Sequence, residues 1–207
     1  MKCIHKFYGI KDYDELLPNW IFNKLIVGTF NPSNDFHSLN TANFFYQREK
    51  NYFWDVFPLF YDSNPIRKND ATGQKDFLKK KLIGITDILI SINDADQNNE
   101  QHKKLISTVR DDDIETFNSF TWNTQQIIDV IIEKRITEVY FTKLGLPSKE
   151  YNSKDTFEYQ MRLIETHCNK NSIHNKRLHS PTGMGLGKGK RVETLEKRWI
   201  DNGLIKY

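Results

Sequence analysis

Cysteine is scarce in this chain: Cys3 and Cys168 are the only two among 207 residues. They have neither CxxC nor metal-ligand spacing, which excludes a thiolate metal site and suits a reducing compartment. There is no run of 18 apolar residues and no leader pattern, so neither membrane insertion nor secretion is expected, and a cytoplasmic location is. Charge of one sign is scarce as well. Thirty Lys and Arg nearly balance 27 Asp and Glu, leaving a net +3 and a pI near 8.7. Such a balance permits an anionic partner without requiring one. There is no internal repeat and no long linker, so residues 1–207 are expected to form a single domain with a sizeable core. Aromatics are plentiful, with 14 Phe, 9 Tyr and 4 Trp. Most of those rings should fill core.

Patterning predicts an alternation of strands and helices. A short helix is expected from Lys11 to Leu17, stopped by Pro18. The uncharged run from Lys24 to Thr29 reads as a strand buried on both faces. A helix over Asn51 to Phe60 should break at Ser63-Asn64-Pro65, and a basic amphipathic helix should span Gln74 to Ile83. Thr86 to Ile92 reads as the second strand, followed by a polar, mobile segment over 93–103. A helix from Thr124 to Lys134 carries Ile127, Ile128, Ile131 and Ile132, with Thr124 as its cap. Glu138 to Thr142 is the third strand, Phe157 to Cys168 a helix, Lys176 to His179 a short fourth strand, and Val192 to Asp201 the closing helix. This order calls for an α/β fold: a three-layer α/β/α sandwich around a mostly parallel four-stranded sheet.

Two stretches carry candidate chemistry. The first strand breaks at Gly28-Thr29 into Asn31-Pro32-Ser33, and ligands of open α/β sheets bind beyond such strand ends. Eleven residues later, Phe44-Phe-Tyr-Gln-Arg-Glu-Lys-Asn-Tyr-Phe-Trp54 offers six aromatics among Arg48, Lys50 and Asn51. A polar turn followed by an amide-bearing aromatic platform suits a flat, hydrogen-bonding ring. The second stretch runs from Arg177 to Arg191 and contains Gly183, Gly185, Gly187 and Gly189. Glycine leaves backbone N–H groups unhindered for phosphate oxygens, while Lys188, Lys190 and Arg191 add charge. Met184 and Leu186 are read as apolar tips of the kind that wedge between bases. Gly189 after Lys188 rules out a Walker A element.

The block Gly28-Thr-Phe-Asn-Pro-Ser33, with Phe44-Phe-Tyr46 and Lys50-Asn-Tyr-Phe-Trp54, resembles the first active-site region of the uracil-DNA glycosylase superfamily. The likeness is closest to its mismatch-specific and hypoxanthine (deoxyinosine) branches. Leu82-Ile-Gly-Ile-Thr-Asp-Ile-Leu89 is similar to the segment leading into their second strand, and His179-Ser180-Pro181 resembles the second active-site region. The chain departs from the family pattern in placing three residues, rather than two, between Gly28 and Pro32. Its glycine-rich continuation after Pro181 is also atypical.

The resemblance implies hydrolysis of the N-glycosidic bond of a flipped-out uracil or hypoxanthine in DNA, by a monomer, with no metal and no cofactor. Asn31 or Asn51 would orient the attacking water. Tyr46 would stack on the base, Asn51 could also read its polar edge, and Thr29 or Phe30 could donate a backbone N–H. His179, if neutral, would stabilise the departing base. Ser33, Ser180 and the segment Gly183, Met184, Gly185, Leu186, Lys188, Lys190 would meet the DNA strand.

Plainer readings stand beside these. Asn31-Pro32-Ser33 is a common turn, Asn51 could cap a helix, and His179 could be a structural histidine. Phe53 and Trp54 are expected in the core. Asp87, inside its apolar strand, could cap a backbone turn or line the pocket, with the structural role preferred, and Asp111-Asp112-Asp113 is read as a solvated turn. Two alternative functions remain: a catalytically altered nucleobase or nucleic-acid binding module of the same fold, and an enzyme acting on small nucleotides or nucleosides rather than polymeric DNA.

Overall fold

The computed structural model describes residues 1–145, 153–183, 186–187 and 189–207. Met184, Gly185 and Lys188 therefore lie outside the described residues. In chain order the elements are β1 (Cys3–Ile4), β2 (Tyr13–Asp14), β3 (Leu17–Pro18), β4 (Lys24–Gly28), α1 (Phe53–Val56), a 3-10 turn (Phe57–Tyr61) and α2 (Ala71–Lys80). There follow β5 (Ile83–Asp87), β6 (Leu89–Ile92), α3 (Glu100–Ser107), α4 (Asp111–Ile114) and β7 (Phe120–Trp122). The chain closes with α5 (Thr124–Glu133), β8 (Glu138–Phe141), α6 (Phe157–Lys170), β9 (His174–Arg177) and α7 (Arg191–Asp201).

A four-stranded, wholly parallel sheet in the order β5-β4-β8-β9 organises this mixed α/β fold. The alternation of a strand explains why β4 carries no charge after Lys24. Leu25 and Val27 join Val139 and Phe141 in one buried cluster. Ile26 joins Ile83, Ile85 and Tyr140 in another. With both faces covered, neither set could be polar without loss. A second sheet, β1-β6-β7, is antiparallel.

Several expected boundaries move, each for a physical reason. Residues 11–17 form the β2-β3 hairpin rather than a helix; Asp12 and Glu15 take positive φ of 73° and 56°, which a helix cannot hold. The helix expected over Asn51–Phe60 is one α turn followed by a 3-10 turn, because Pro58 supplies no N–H. α2 starts earlier, at Ala71, where Asp70 Oδ1 accepts the Gly73 N–H (2.8 Å). It ends before Leu82, whose φ is +57°, and this frees Ile83 for β5.

The run Thr86–Ile92 is two strands in two sheets. Ile88 and Leu89 donate to the Gly28 and Thr29 carbonyls (3.1 Å each) and turn the chain away at Asp87. The segment over 93–103 includes the start of α3, capped by Asn99. Thr124 does not cap α5; its hydroxyl donates to Gln160 Oε1 on α6 (2.5 Å). The fourth strand lies two residues earlier than expected. Among the described residues no helix is long and apolar enough to cross a membrane.

Candidate functional site

All four parallel strands point their carboxyl ends at one cavity of about 410 Å³. β4 runs out into Thr29, Phe30 and Asn31, and β5 ends on Asp87. β8 leads to Thr142, Lys143 and Leu144, and β9 to His179, Ser180, Pro181 and Thr182. Phe45, Tyr46, Arg48 and Asn51 line it from the aromatic segment, while Arg110, Asp111 and Asp112 line it from the start of α4. Asn31, Tyr46, Asn51 and His179, separated by up to 148 residues in sequence, therefore share one crevice.

The early and late segments are joined by main-chain bonds. Asn51 and Thr182 form an antiparallel bridge; the Tyr52 N–H donates to Pro181 O, and the Gly183 N–H to Lys50 O (2.8 Å each). Arg191 Nη1 adds a bond to Tyr52 Oη (2.8 Å).

Neighbours fix the amide orientations. Asn40 takes the Ala42 N–H on its Oδ1 and donates to Pro32 O, so its Nδ2 also donates to Asn31 Oδ1 (2.5 Å). That bond turns the Asn31 acceptor toward Asn40 and leaves its N–H groups for the cavity. Asn51 Oδ1 accepts the Phe53 N–H (2.9 Å), which starts α1 and likewise leaves the Asn51 amide nitrogen as a donor. The cap reading and the cavity reading of Asn51 thus hold together.

Tyr46 sits at φ +60° and stacks on Phe53 with ring centroids 4.2 Å apart and planes 12° from parallel. Its hydroxyl pairs with Thr142 Oγ1 (3.0 Å). Burial, reinforced by the charge of Asp87, pushes its pKa well above the ordinary tyrosine value. Gly28 makes this closeness possible: a Cβ there would lie 2.7 Å from Tyr46 Oη and closer still to Asp87 Oδ1. Phe53 and Trp54 are wholly buried, as core rings should be.

Burial lowers the pKa of His179, and the nearby Arg198 adds to that, so the imidazole is neutral at pH 7. Burial raises the Asp111 carboxyl even though Lys143 Nζ stands 2.5 Å away and the Thr29 side chain opposes the shift. Burial likewise lowers Arg48, against the charges of Asp87 and Asp111.

Other expected contacts fall elsewhere. Ser33 lies outside the cavity lining, its N–H on Ile4 O (3.2 Å) and its hydroxyl facing Cys3 Sγ at 4.0 Å. Leu186 is not an exposed tip: it is 5% exposed and belongs to the core cluster that holds Trp199. Its surroundings are apolar, and no wedge could leave them cheaply. Gly183 faces the Tyr52 ring, and Lys190 is exposed at the start of α7. The Phe30 ring is core, 5.6 Å from His5.

Sequence reasoning missed His5, Lys143 and Arg48 as members of the site, preferred a structural role for Asp87 over a place in the pocket, and put Asp111 in solvent. Asp87 is not merely structural, for its carboxylate forms part of the cavity wall. Asp111 is not a solvated turn, since it turns inward onto Lys143. A lone carboxylate in an otherwise uncharged run, 82–92, was the available signal. His5 gave none.

Compared with protein-family models and with curated proteins, the sequence matches none, so the chemistry of the site itself has to carry the functional reading.

Proposed function

We propose that the protein is a DNA glycosylase that hydrolyses the N-glycosidic bond of a flipped-out deaminated base, uracil or hypoxanthine. Membership of the uracil-DNA glycosylase superfamily, its three-layer α/β/α arrangement and a cytoplasmic setting belong to the same proposal. The observation that carries it is the meeting of an aromatic platform, Tyr46 on Phe53, with two amides whose N–H groups are fixed toward the same cavity. Deamination replaces an exocyclic amine, a donor, with a carbonyl, an acceptor. Fixed donors accept the altered edge and oppose the normal one, and an unpaired polar group at such a site costs a large factor in selectivity. Neutral His179 adds a donor at the rim for the charge that develops on the leaving base. The cavity volume falls within the range of small-molecule pockets, and DNA chemistry on a base needs that base out of the stack.

The test is a panel of single- and double-stranded oligonucleotides carrying uracil, hypoxanthine or xanthine, scored for alkali-labile sites. Uracil or hypoxanthine release is expected, with Asn31→Ala and Asn51→Ala slowing turnover by orders of magnitude while binding to undamaged DNA persists. Full excision by both variants would refute these roles.

One observation favours the non-hydrolytic binding module. The Asn31 carbonyl oxygen, which could accept a water proton, is taken by Asn40. Tight binding to the modified oligonucleotides with no base release over long incubation would decide for it.

A further inference from the structure

Hydrolysis needs a group that accepts the proton of the attacking water, and both cavity amides present donors instead. Of the three carboxylates in the wall, Asp111 is committed to Lys143 (2.5 Å) and Asp112 is engaged by a partner of its own. Asp87 stands differently. Its Oδ2 accepts from His5 Nε2 at 2.7 Å. The Phe7 N–H donates to His5 Nδ1 (3.0 Å), so the imidazole proton resides on Nε2 and the ring is a fixed donor to the carboxylate. The His5 side chain is wholly buried, held by the rings of Phe7, Phe30 and Phe45 at 5.6–5.7 Å.

The backbone of Asp87 is also held, its carbonyl accepting from Asn123 Nδ2 (3.0 Å). Oδ1 is left against the bare Cα of Gly28, and it accepts no hydrogen bond among the described residues. A carboxylate with one oxygen anchored by a buried neutral histidine and the other open to a cavity is arranged to hold and deprotonate a water.

We propose that Asp87 is the water-activating carboxylate of this site and that His5 is its positioning residue, an inference that rests on the glycosylase reading. The C1′–N bond breaks with its electron pair leaving on the base nitrogen. The water oxygen bonds to C1′, and its proton passes to Asp87 Oδ1. The released base anion then takes that proton, which restores the carboxylate and completes a hydrolysis that needs no other reactant.

The experiment measures base release and oligonucleotide binding on the full chain, with uracil- and hypoxanthine-containing oligonucleotides. Asp87→Asn keeps the shape and can still accept from His5, so binding and KM should hold while kcat falls roughly 10²–10⁴-fold. Added formate should restore part of the rate to Asp87→Ala by supplying a carboxylate in the vacated space. His5→Gln, which can donate and accept in similar places, should keep kcat within about tenfold of wild type. His5→Phe should lose about 10²-fold in kcat at unchanged KM, the scale of a misplaced catalytic group.

No release by the wild-type protein would overturn the glycosylase reading and this proposal together. Release by wild type with undiminished release by Asp87→Asn would overturn this proposal alone. So would an Asp87→Ala variant that binds normally and gains nothing from formate.

Discussion

Replacing Gly28 by alanine tests the geometry of the site with a single methyl group. Gly28 is buried at the end of β4, paired with Asp87, and its φ lies outside the left-handed region, so the backbone accepts alanine. The obstacle is space. The new Cβ would lie 2.7 Å from Tyr46 Oη, 3.3 Å from Asp87 Cγ and nearer still to Asp87 Oδ1. A real Cβ essentially never comes within 3.0 Å of such atoms, so the carboxylate must move, and its bond to His5 moves with it. Overpacking of this kind costs ~1–3 kcal/mol. For a chain of this size that lowers Tm by roughly 2–12 °C. Displacement of the reacting group by about 1 Å should cost turnover on the order of 10²-fold.

Gly84→Ala is the matched control. Its Cβ would meet Phe22 Cε2 at 2.7 Å, also a clash, in the neighbouring strand but among core side chains outside the cavity lining. Calorimetry should show similar losses of Tm, while base release should fall only in Gly28→Ala. Equal activity in the two variants, or a Gly28→Ala protein with unshifted Tm and full turnover, would refute the account of how Asp87 and Tyr46 are placed.

Further outcomes follow from other contacts. Arg177 joins β9 to α6 by bonding Glu158 (2.6 Å) and both oxygens of Glu165 (2.6 and 2.7 Å). Arg177→Met should cost ~2 kcal/mol in urea unfolding, since it strands partly buried Glu165 and leaves buried Glu158 with Arg162 alone. Burial lowers the pKa of both His37 and His179 below 6.5 in the folded state. The unfolded chain thus binds more protons there, so their stabilising contribution is present above pH 6.5 and is lost as pH falls through the folded values. The double variant His37→Gln/His179→Gln should show a smaller drop in Tm between pH 7.5 and 5.5 than wild type. If exposed Lys190 meets phosphate, Lys190→Ala should reduce the slope of log affinity against log salt by about one, measured by anisotropy on an oligonucleotide.

The parts of the fold legible in sequence were those whose signal is local. An uncharged run with alternating destinations announces β4, and apolar spacing places α5, α6 and α7 within a residue or two at most of their ends. The hairpin at residues 13–18 was illegible, because it depends on positive φ at Asp12 and Glu15 rather than on any apolar period. The corner at Ile88 was hidden for a related reason: an apolar run looks the same whether its strand stays in one sheet or crosses into another. At the site, Asn31, Tyr46, Asn51 and His179 could be found through turn chemistry and aromatic clustering. His5 could not, since its significance comes from Asp87, 82 residues away, and only folding brings the two together. Leu186 misled because a glycine-rich setting suggests exposure, whereas its side chain completes the packing around Trp199.

The antiparallel stitch between residues 50–52 and 181–183 makes a single jaw of the amide side and the imidazole side of the cleft. Under the proposed function, widening to admit a nucleotide is expected from the facing jaw, where a side-chain ion pair joins Lys143 to Asp111. Grip on that substrate and freedom to let it in would then fall to different halves of the molecule. A proline at 183, by deleting one rung, would slacken the half that has to stay rigid.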